Sequence, residues 1–316
     1  MSKRQLAPYY LNFTPAYRYQ LGIQLAPYYV LHFYAHPYRR DLPAIGYRRP
    51  RSNRQRRRRE ALYDAMFNIL IRGYNELTGY TASTSTGQML FFLSKVMKEL
   101  DDAFEMRLKA GDSLELSEVM AEPAVRENLE FLQVYLDLSG CSHVAMGHLY
   151  AVYTNHYQLY AHRLSQTQRE WQFNQVLESV QFDSGILLRA MLEIAALFNE
   201  HNLAEGQMED FYRVGMVGKF ADDMVDLIRD IQKGVPNLVY ALVQENAAEL
   251  RALQTGICSQ ARLNSTWWQI HCPITYAEFF EHVSFYASQI SAPHIRLVGD
   301  LSLIPAVIGR DYDKAN

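Results

Sequence analysis

Cysteine is scarce in this chain of 316 residues, and its scarcity removes several classes of protein. Three cysteines, Cys141, Cys258 and Cys272, are too few and too widely spaced for a disulfide framework or a cysteine-ligated zinc site. We therefore expect a reduced, cytoplasmic setting. No apolar run approaches the roughly 18–20 residues that span a bilayer, and the first residues lack the short apolar core of a secretory signal. We expect no transmembrane segment.

Proline is also rare in most of the chain. Between residues 61 and 270 only Pro123 and Pro236 occur, and both lie near predicted helix starts, where proline is tolerated. Alternating strand patterns and hairpin turn signals are missing, whereas apolar residues recur at three- and four-residue steps. The predicted helices cover about 61–78, 88–109, 115–139, 142–165, 168–200, 207–233, 236–254 and 275–290. With 49% apolar residues, the sequence predicts an all-α fold with a sizeable core.

The first 60 residues differ from the rest. They hold six prolines, 13 lysines and arginines against two acidic residues, and the pentapeptide Leu-Ala-Pro-Tyr-Tyr twice. The remaining chain has 18 basic and 32 acidic residues. We predict a basic, irregular arm at 1–60 and one α-helical domain at 61–316. The arm is either an unstructured tail or a set of arginines that approaches a phosphate. The acidic body argues against nucleic acid as the main partner.

Two acidic clusters carry the functional signal. On the helix predicted at 88–109, Asp101 and Glu105 lie four residues apart, with Asp102 beside the first. Like charges at this spacing repel on a bare helix, and a cation relieves the repulsion. Taken alone, this cluster also fits a solvated helix face.

The second cluster is a longer carboxylate stripe. Asp222, Asp226 and Asp230 follow one another at one-turn intervals, and Arg229 lies beside the last. The flanking residues are apolar, so the helix is expected to be mostly buried, where such carboxylates need metal or protons. Two such helices facing each other across a bundle can hold several magnesium ions around a diphosphate. Neutralising the charge of a diphosphate makes it a better leaving group. Its departure leaves a carbocation, which an aromatic pocket stabilises and protects from water.

The two motifs resemble those of class I terpene synthases, particularly the microbial terpene cyclases of the all-α isoprenoid synthase fold. That family has a DDxx(D/E) motif and, farther along, an Asn/Asp-Asp-x-x-Ser/Thr-x-x-x-Glu motif, often followed by glycine and Asn-Leu-Val. Residues 101–105 match the first motif, 222–230 match the spacing of the second, and 234–239 match its tail. The resemblance covers roughly residues 60–300.

The resemblance implies a set of site residues. Asp222, Asp226 and Asp230 would bind one magnesium ion, and Asp101 would bind others with Asp102 or Glu105 assisting, for three Mg²⁺ in total. Diphosphate binding would fall to the basic residues Arg229, Lys233 and Arg189. Many members of the family dimerise, so a homodimer is an expectation of the same kind.

The sequence departs from the family pattern at several positions. Asp226 replaces the usual Ser/Thr and Asp230 replaces Glu. Gln181 aligns with the arginine that senses diphosphate, so the sensor is missing or displaced to Arg189. Near the C-terminus, an adjacent Arg-Tyr pair is matched poorly by residues 310–312. One hypothesis is that arginines 48–59 of the arm supply the missing positive charge.

Other candidates have simpler interpretations. His143, His148, His156 and His162 lack a firm metal-ligand spacing, and we interpret them as helix-face residues. Gly215 and Gly218 are expected to allow close helix packing or a helix break. Trp267 and Trp268 are expected to pack in the core.

The sequence thus predicts a carbon–oxygen lyase acting on phosphates. It would ionise farnesyl or geranylgeranyl diphosphate and cyclise the carbocation to a terpene. The alternatives are a prenyl-coupling enzyme of the squalene/phytoene synthase type and a non-catalytic diphosphate-binding relative.

Overall fold

In the computed structural model, the described residues are 70–165, 171–182 and 184–308, together with Ile23. Helices dominate these ranges, and no strand occurs within them. The bounds are α1, residues 70–78; α2, Thr84–Ala110; α3, Leu116–Met120; α4, Pro123–Leu138; α5, Ser142–Ser165; α6, Phe173–Val180; α7, Gly185–Phe198; α8, Glu205–Lys233; α9, Leu238–Gln244; α10, Ala247–Cys258; α11, Ser265–His271; α12, Pro273–Ser288; and α13, Pro293–Ile308. The predicted all-α fold class is confirmed. No helix in the described ranges has the length and apolar character that a membrane crossing requires.

Three helices that were predicted to be continuous are interrupted in the structure. The segments at 115–139, 168–200 and 236–254 are each divided into two helices. Pro123 begins α4 at its first position, and the Asn246 side chain caps α10 by accepting hydrogen bonds from the backbone of Ala248 and Glu249. Helices α11 and α13 were not predicted from the sequence.

The chain divides into two compact units. The described part of the N-terminal unit comprises Ile23, 70–157 and 189–208. The described part of the C-terminal unit comprises 158–165, 171–182, 184–188 and 209–308. Apart from Ile23, the predicted arm at 1–60 lies outside the described residues, so its boundary with the domain at 61–316 remains a prediction.

In the N-terminal unit, α2 packs along α4. Phe92 is fully buried and stacks on Phe131, with ring centroids 5.0 Å apart. The Tyr135 hydroxyl donates a hydrogen bond to Gln88 Oε1 at 3.0 Å, which satisfies both polar groups inside the interface. The apolar side of α2 is thereby buried, whereas Asp101 and Asp102 of the same helix are exposed.

In the C-terminal unit, the short helix α9 lies at the centre of the core. Five of its side chains are buried: Leu238, Val239, Ala241, Leu242 and Val243. The helix contacts α6, α10 and α12. Trp268 of α11 joins this core fully buried, and Trp267 packs edge-on against it, so the expectation of packing for these two residues is confirmed.

Buried carboxylates tie the helices of this unit together. Glu249 of α10 accepts hydrogen bonds from the backbone N–H groups of Ile274 and Thr275 in the first turn of α12. Asp210 of α8 accepts from the N–H groups of Ser291 and Ala292, just before α13. A negative charge is favourable at a helix N-terminus, where backbone donors lack partners. Each carboxylate therefore fixes the start of a distant helix.

Gly215 and Gly218 lie one turn apart on α8 but differ in their surroundings. A Cβ atom added at Gly215 would lie 2.5 Å from the backbone oxygen of Ser184, which a side-chain rotation cannot relieve. We expect Gly215→Ala to lower the free energy of unfolding by about 1–3 kcal/mol because backbone atoms must move. The expected close packing is confirmed here, and urea denaturation measures its energetic effect.

Gly218→Ala is the matched control on the same helix. A Cβ atom there would meet nothing within 4 Å, so close packing is the wrong explanation for this glycine. Alanine is the better helix former, and we expect this variant to gain up to about 1 kcal/mol. Equal effects of the two substitutions would contradict the packing assigned to Gly215.

Candidate functional site

Helix α8 carries the second acidic cluster. It is largely buried and ends at Lys233, and the next residue, Gly234, has a φ of +68°, which glycine readily adopts. Along the stripe, Asp222 is exposed, whereas the side chains of Asp226 and Asp230 are 13% and 10% exposed. The carboxylates therefore run from the surface towards the interior, on a helix that the apolar flanks predicted to be mostly buried.

Arg229 lies against the two less exposed carboxylates. Its Nη2 atom is 2.6 Å from Asp226 Oδ2, and its Nε atom is 3.5 Å from Asp230 Oδ1. The Arg229 side chain is 46% exposed and is thus accessible to solvent. The arrangement places positive charge directly on the stripe.

A buried polar network connects the inner end of the stripe to the turn that follows α8. Asn237 donates one hydrogen bond to Asp230 Oδ2 at 2.9 Å and another to the backbone oxygen of Asp223 at 2.8 Å. Asp223 Oδ2 accepts from the Leu238 backbone N–H at 2.7 Å, and Asp223 Oδ1 lies 3.1 Å from Lys219 Nζ. The turn between α8 and α9 is thus bonded back onto α8, which fixes the orientation of Asp230.

Burial shapes the acidity of this network. It raises the pKa of Asp223 to about 7, with the nearby carboxylates of Asp230 and Asp222 acting in the same direction and Lys219 opposing them. Burial likewise raises the pKa of Asp230, against the hydrogen bond from Asn237 and the charges of Lys219 and Arg229. A cation bound at the stripe would counter these shifts because it favours the charged carboxylates.

Sequence analysis did not assign roles to Lys219, Asp223 or Asn237. Asn237 had a recognisable signal, since it follows a proline and precedes an apolar run, and its side chain accepts a hydrogen bond from the Tyr240 N–H as a helix cap. Asp223 could not be distinguished from Asp222 by sequence, because adjacent residues of one type differ only in which side of the helix is buried.

The first acidic cluster lies on α2 of the N-terminal unit. Asp101 and Asp102 are exposed, and Asp102 forms a 2.7 Å ion pair with Lys98 one turn away. Ala103 and Phe104 beside them are buried. Glu105 belongs to the same helix, but its side chain lies outside the described residues. The metal-binding role of this cluster stays a prediction.

The predicted diphosphate ligands have different surroundings. Arg189 lies 3.0 Å from Glu193 and 2.9 Å from Glu205, so carboxylates already balance its charge. Gln181 accepts a hydrogen bond from the Tyr212 hydroxyl. Lys233 is exposed in the last turn of α8. Residues 310–312 lie outside the described ranges.

The histidines do not form a metal centre within the described residues. His148 lies 3.4 Å from Glu193, and His143 is exposed. The side chains of His156 and His162 lie outside the description. In the described parts of the chain, no three His, Cys, Asp or Glu side chains are grouped to hold a metal ion. The donors on α8 are nevertheless hard carboxylate oxygens, whose chemistry fits Mg²⁺.

Comparison with solved structures identifies the fold. The chain is similar to the crystal structure of geranylgeranyl pyrophosphate synthase from Corynebacterium glutamicum ATCC 13032, with a TM-score of 0.51 and 11% sequence identity, over 98% of this chain and 97% of that chain. The chain has the all-α isoprenoid synthase fold. No protein-family model and no curated protein sequence matches it.

Proposed function

We propose that this protein is a class I terpene synthase, which ionises farnesyl or geranylgeranyl diphosphate with Mg²⁺ and cyclises the resulting carbocation. The observation that carries the proposal is the stripe of Asp222, Asp226 and Asp230 on α8, with Arg229 lying against it. The isoprenoid synthase fold supports it, because the similar solved structure is a prenyl diphosphate synthase.

The carboxylates of the stripe would hold the metal. Asp222, Asp226 and Asp230 offer oxygen ligands, and Asp101, Asp102 and Glu105 are proposed ligands for further ions, to a total of three. When bound, Mg²⁺ supplies positive charge that stabilises the departing diphosphate. Asn237 holds the Asp230 carboxylate in place through its 2.9 Å hydrogen bond.

Arg229 is the proposed first contact for the diphosphate. Its guanidinium can donate two parallel hydrogen bonds to phosphate oxygens, which a lysine ammonium cannot do in the same geometry. Lys233, one turn further along α8, would add positive charge. Arg189 would contribute only by leaving Glu193 or Glu205, which now balance it.

Buried aromatic residues lie close in sequence to the stripe. Phe220 is fully buried two residues before Asp222, and its ring packs against those of Phe173 and Phe279 at centroid distances of 6.3 and 6.0 Å. Aromatic faces attract cations, and a dry surrounding prevents quenching by water. The proposed cyclisation requires aromatic side chains of this kind to line the cavity that holds the substrate.

Prenyl transfer is the second candidate function. The observation in its favour is the similarity to a synthase whose product is itself a prenyl diphosphate. In that case the allylic cation would be captured by a second isoprenoid unit, as in chain elongation or in coupling of the squalene/phytoene type. The DDxxE form of the first cluster favours cyclisation.

A product assay separates these functions. Purified full-length protein is incubated with Mg²⁺ and geranyl, farnesyl or geranylgeranyl diphosphate, each with and without isopentenyl diphosphate. A cyclic hydrocarbon or alcohol formed from one substrate alone supports the cyclase. A longer prenyl diphosphate, or a coupled product, supports transfer. Tight diphosphate binding without any product favours the non-catalytic alternative.

A further inference from the structure

The connection between α7 and α8 carries a histidine that contacts two tyrosines from the beginning of the N-terminal unit. His201 Nδ1 lies 2.8 Å from the hydroxyl oxygen of Tyr74 on α1. The His201 ring also stacks on Tyr80, with ring centroids 3.8 Å apart. Because Tyr74 is buried and Tyr80 is exposed, the histidine joins a group of the interior on one side and a surface ring on the other.

The end of α7 fixes the position of this histidine. Glu200 has a φ of +57°, in the left-handed region that residues other than glycine seldom adopt. The turn allows the His201 N–H to donate to the carbonyl oxygen of Ala196 at 2.8 Å, as in a Schellman motif at the end of a helix. The imidazole is therefore presented to α1 by a backbone that is bonded to α7.

The hydrogen bonds around Tyr74 determine the direction of its bond to His201. Asn199 Nδ2 donates to the carbonyl oxygen of Ala195 at 2.7 Å and to the Tyr74 hydroxyl oxygen at 3.0 Å. Asn199 Oδ1 accepts from the Thr86 hydroxyl at 2.8 Å, so both ends of the amide have partners of the correct kind. The Tyr74 hydrogen is then left to donate to His201 Nδ1, which must be the ring nitrogen without a hydrogen.

Protonation of His201 is incompatible with this arrangement. A charged imidazole carries a hydrogen on both nitrogens, so Nδ1 can no longer accept and the buried Tyr74 hydroxyl loses its acceptor. Burial raises the pKa of Tyr74, so the phenol keeps its hydrogen and does not balance the new charge. The Tyr80 ring, by contrast, attracts a cation stacked on its face. The charged imidazole therefore favours Tyr80 and gives up Tyr74.

In the described residues, the titratable groups placed around His201 are two tyrosines and one exposed glutamate. Tyr74 faces the imidazole from α1, and Tyr80 faces it from the connection between α1 and α2. Glu200, its neighbour in the chain, is exposed. At the start of α8, Glu205 lies 2.9 Å from Arg189, which balances its charge. The protonation state of His201 thus acts mainly through its bond to Tyr74.

We propose that His201 is a pH-sensitive latch on α1: the neutral imidazole holds α1 to the end of α7 through Tyr74, and the protonated imidazole releases Tyr74 while it stays against Tyr80. Histidine side chains change charge between about pH 5 and 8, so the latch is closed at the upper end of this range and open at the lower end. Because α1 follows the predicted basic arm at 1–60, opening also loosens the attachment of that arm. The latch is independent of the proposed function, since none of its residues is proposed to bind metal or diphosphate.

The test is hydrogen–deuterium exchange of the full-length protein, measured by mass spectrometry at about pH 8 and about pH 5. Exchange times are corrected for the pH dependence of the intrinsic rate, and peptides from α1 are compared with peptides from α9 in the other unit. We expect the protection of α1 to fall roughly 10-fold at the lower pH, as loss of one hydrogen bond by a buried group allows. The protection of α9 should stay the same, and an equal fall in both helices would overturn the latch.

Three variants assign the effect to the bond between Tyr74 and His201. Tyr74→Phe removes the hydroxyl and His201→Gln removes the titration, so each should abolish the pH effect on α1. His143→Gln is the matched control, because His143 is an exposed histidine on α5 of the same unit, and it should keep the wild-type effect. Equal protection of α1 at both pH values in the wild type would overturn the latch, and so would a wild-type pH effect in Tyr74→Phe or His201→Gln.

Discussion

Replacing Asp222 by alanine should reduce turnover of the prenyl diphosphate roughly 100- to 1000-fold while leaving the fold intact, because loss of one proposed metal ligand removes several kcal/mol of transition-state stabilisation. Asp222 is exposed, so surface substitution there costs little stability. The charge of Asp222 raises the pKa of the buried Asp223, and its removal should therefore stabilise the protein slightly. Steady-state kinetics and urea denaturation measure the two effects separately.

The matched control for Asp222→Ala is Glu245→Ala. Glu245 is an exposed acidic residue of the same unit, at the end of α9, and its replacement removes the same charge without touching the stripe. We expect its kinetics to equal those of wild type. An Asp222→Ala protein with near-normal turnover would show that the stripe does not serve the reaction.

Glu249→Ala should produce the largest loss of stability, about 3–5 kcal/mol in the free energy of unfolding. The buried carboxylate accepts hydrogen bonds from Ile274 N at 2.7 Å, Thr275 N at 2.9 Å and the Thr275 hydroxyl at 2.6 Å. Without it, the first turn of α12 keeps buried donors without an acceptor, and the favourable charge at the helix N-terminus is lost. Chemical denaturation at pH 7 measures the difference.

Two further variants define the origin of that loss. Glu249→Gln keeps one acceptor oxygen but no charge, so it should fall between wild type and Glu249→Ala. Glu245→Ala, at an exposed position nearby in sequence, should change stability by less than about 0.5 kcal/mol. If Glu249→Ala were as stable as Glu245→Ala, the role of Glu249 in fixing α12 would be wrong.

The fold class was predictable because helix periodicity and the near absence of proline are local properties of the sequence. The breaks within 115–139, 168–200 and 236–254 were not predicted, since apolar periodicity continues across them, although Pro123 and Asn246 are local start signals for α4 and α10. Helix α12 shows the limit clearly. Its N-terminus is held by Glu249, which lies more than twenty residues earlier and carries no local signal of that role.

The candidate site, like the fold, was predictable only in part from the sequence. The spacing of Asp222, Asp226 and Asp230 predicted a one-sided stripe, and the structure shows Asp226 and Asp230 little exposed. The ion pairs of Arg229 with Asp226 and Asp230 could not be predicted from the sequence, because an arginine side chain beside two acidic residues can extend in several directions. The network of Asp223, Lys219 and Asn237 likewise depends on the turn that returns the chain onto α8.

The proposed ionisation of a prenyl diphosphate releases inorganic diphosphate, which can be measured whatever the organic product is. Purified protein is incubated with farnesyl or geranylgeranyl diphosphate, with Mg²⁺ or with a chelator, and released diphosphate is quantified. We predict Mg²⁺-dependent release that Asp222→Ala loses and Glu245→Ala retains. If a folded, helical protein released no diphosphate from either substrate in the presence of Mg²⁺, the proposed ionisation would be contradicted.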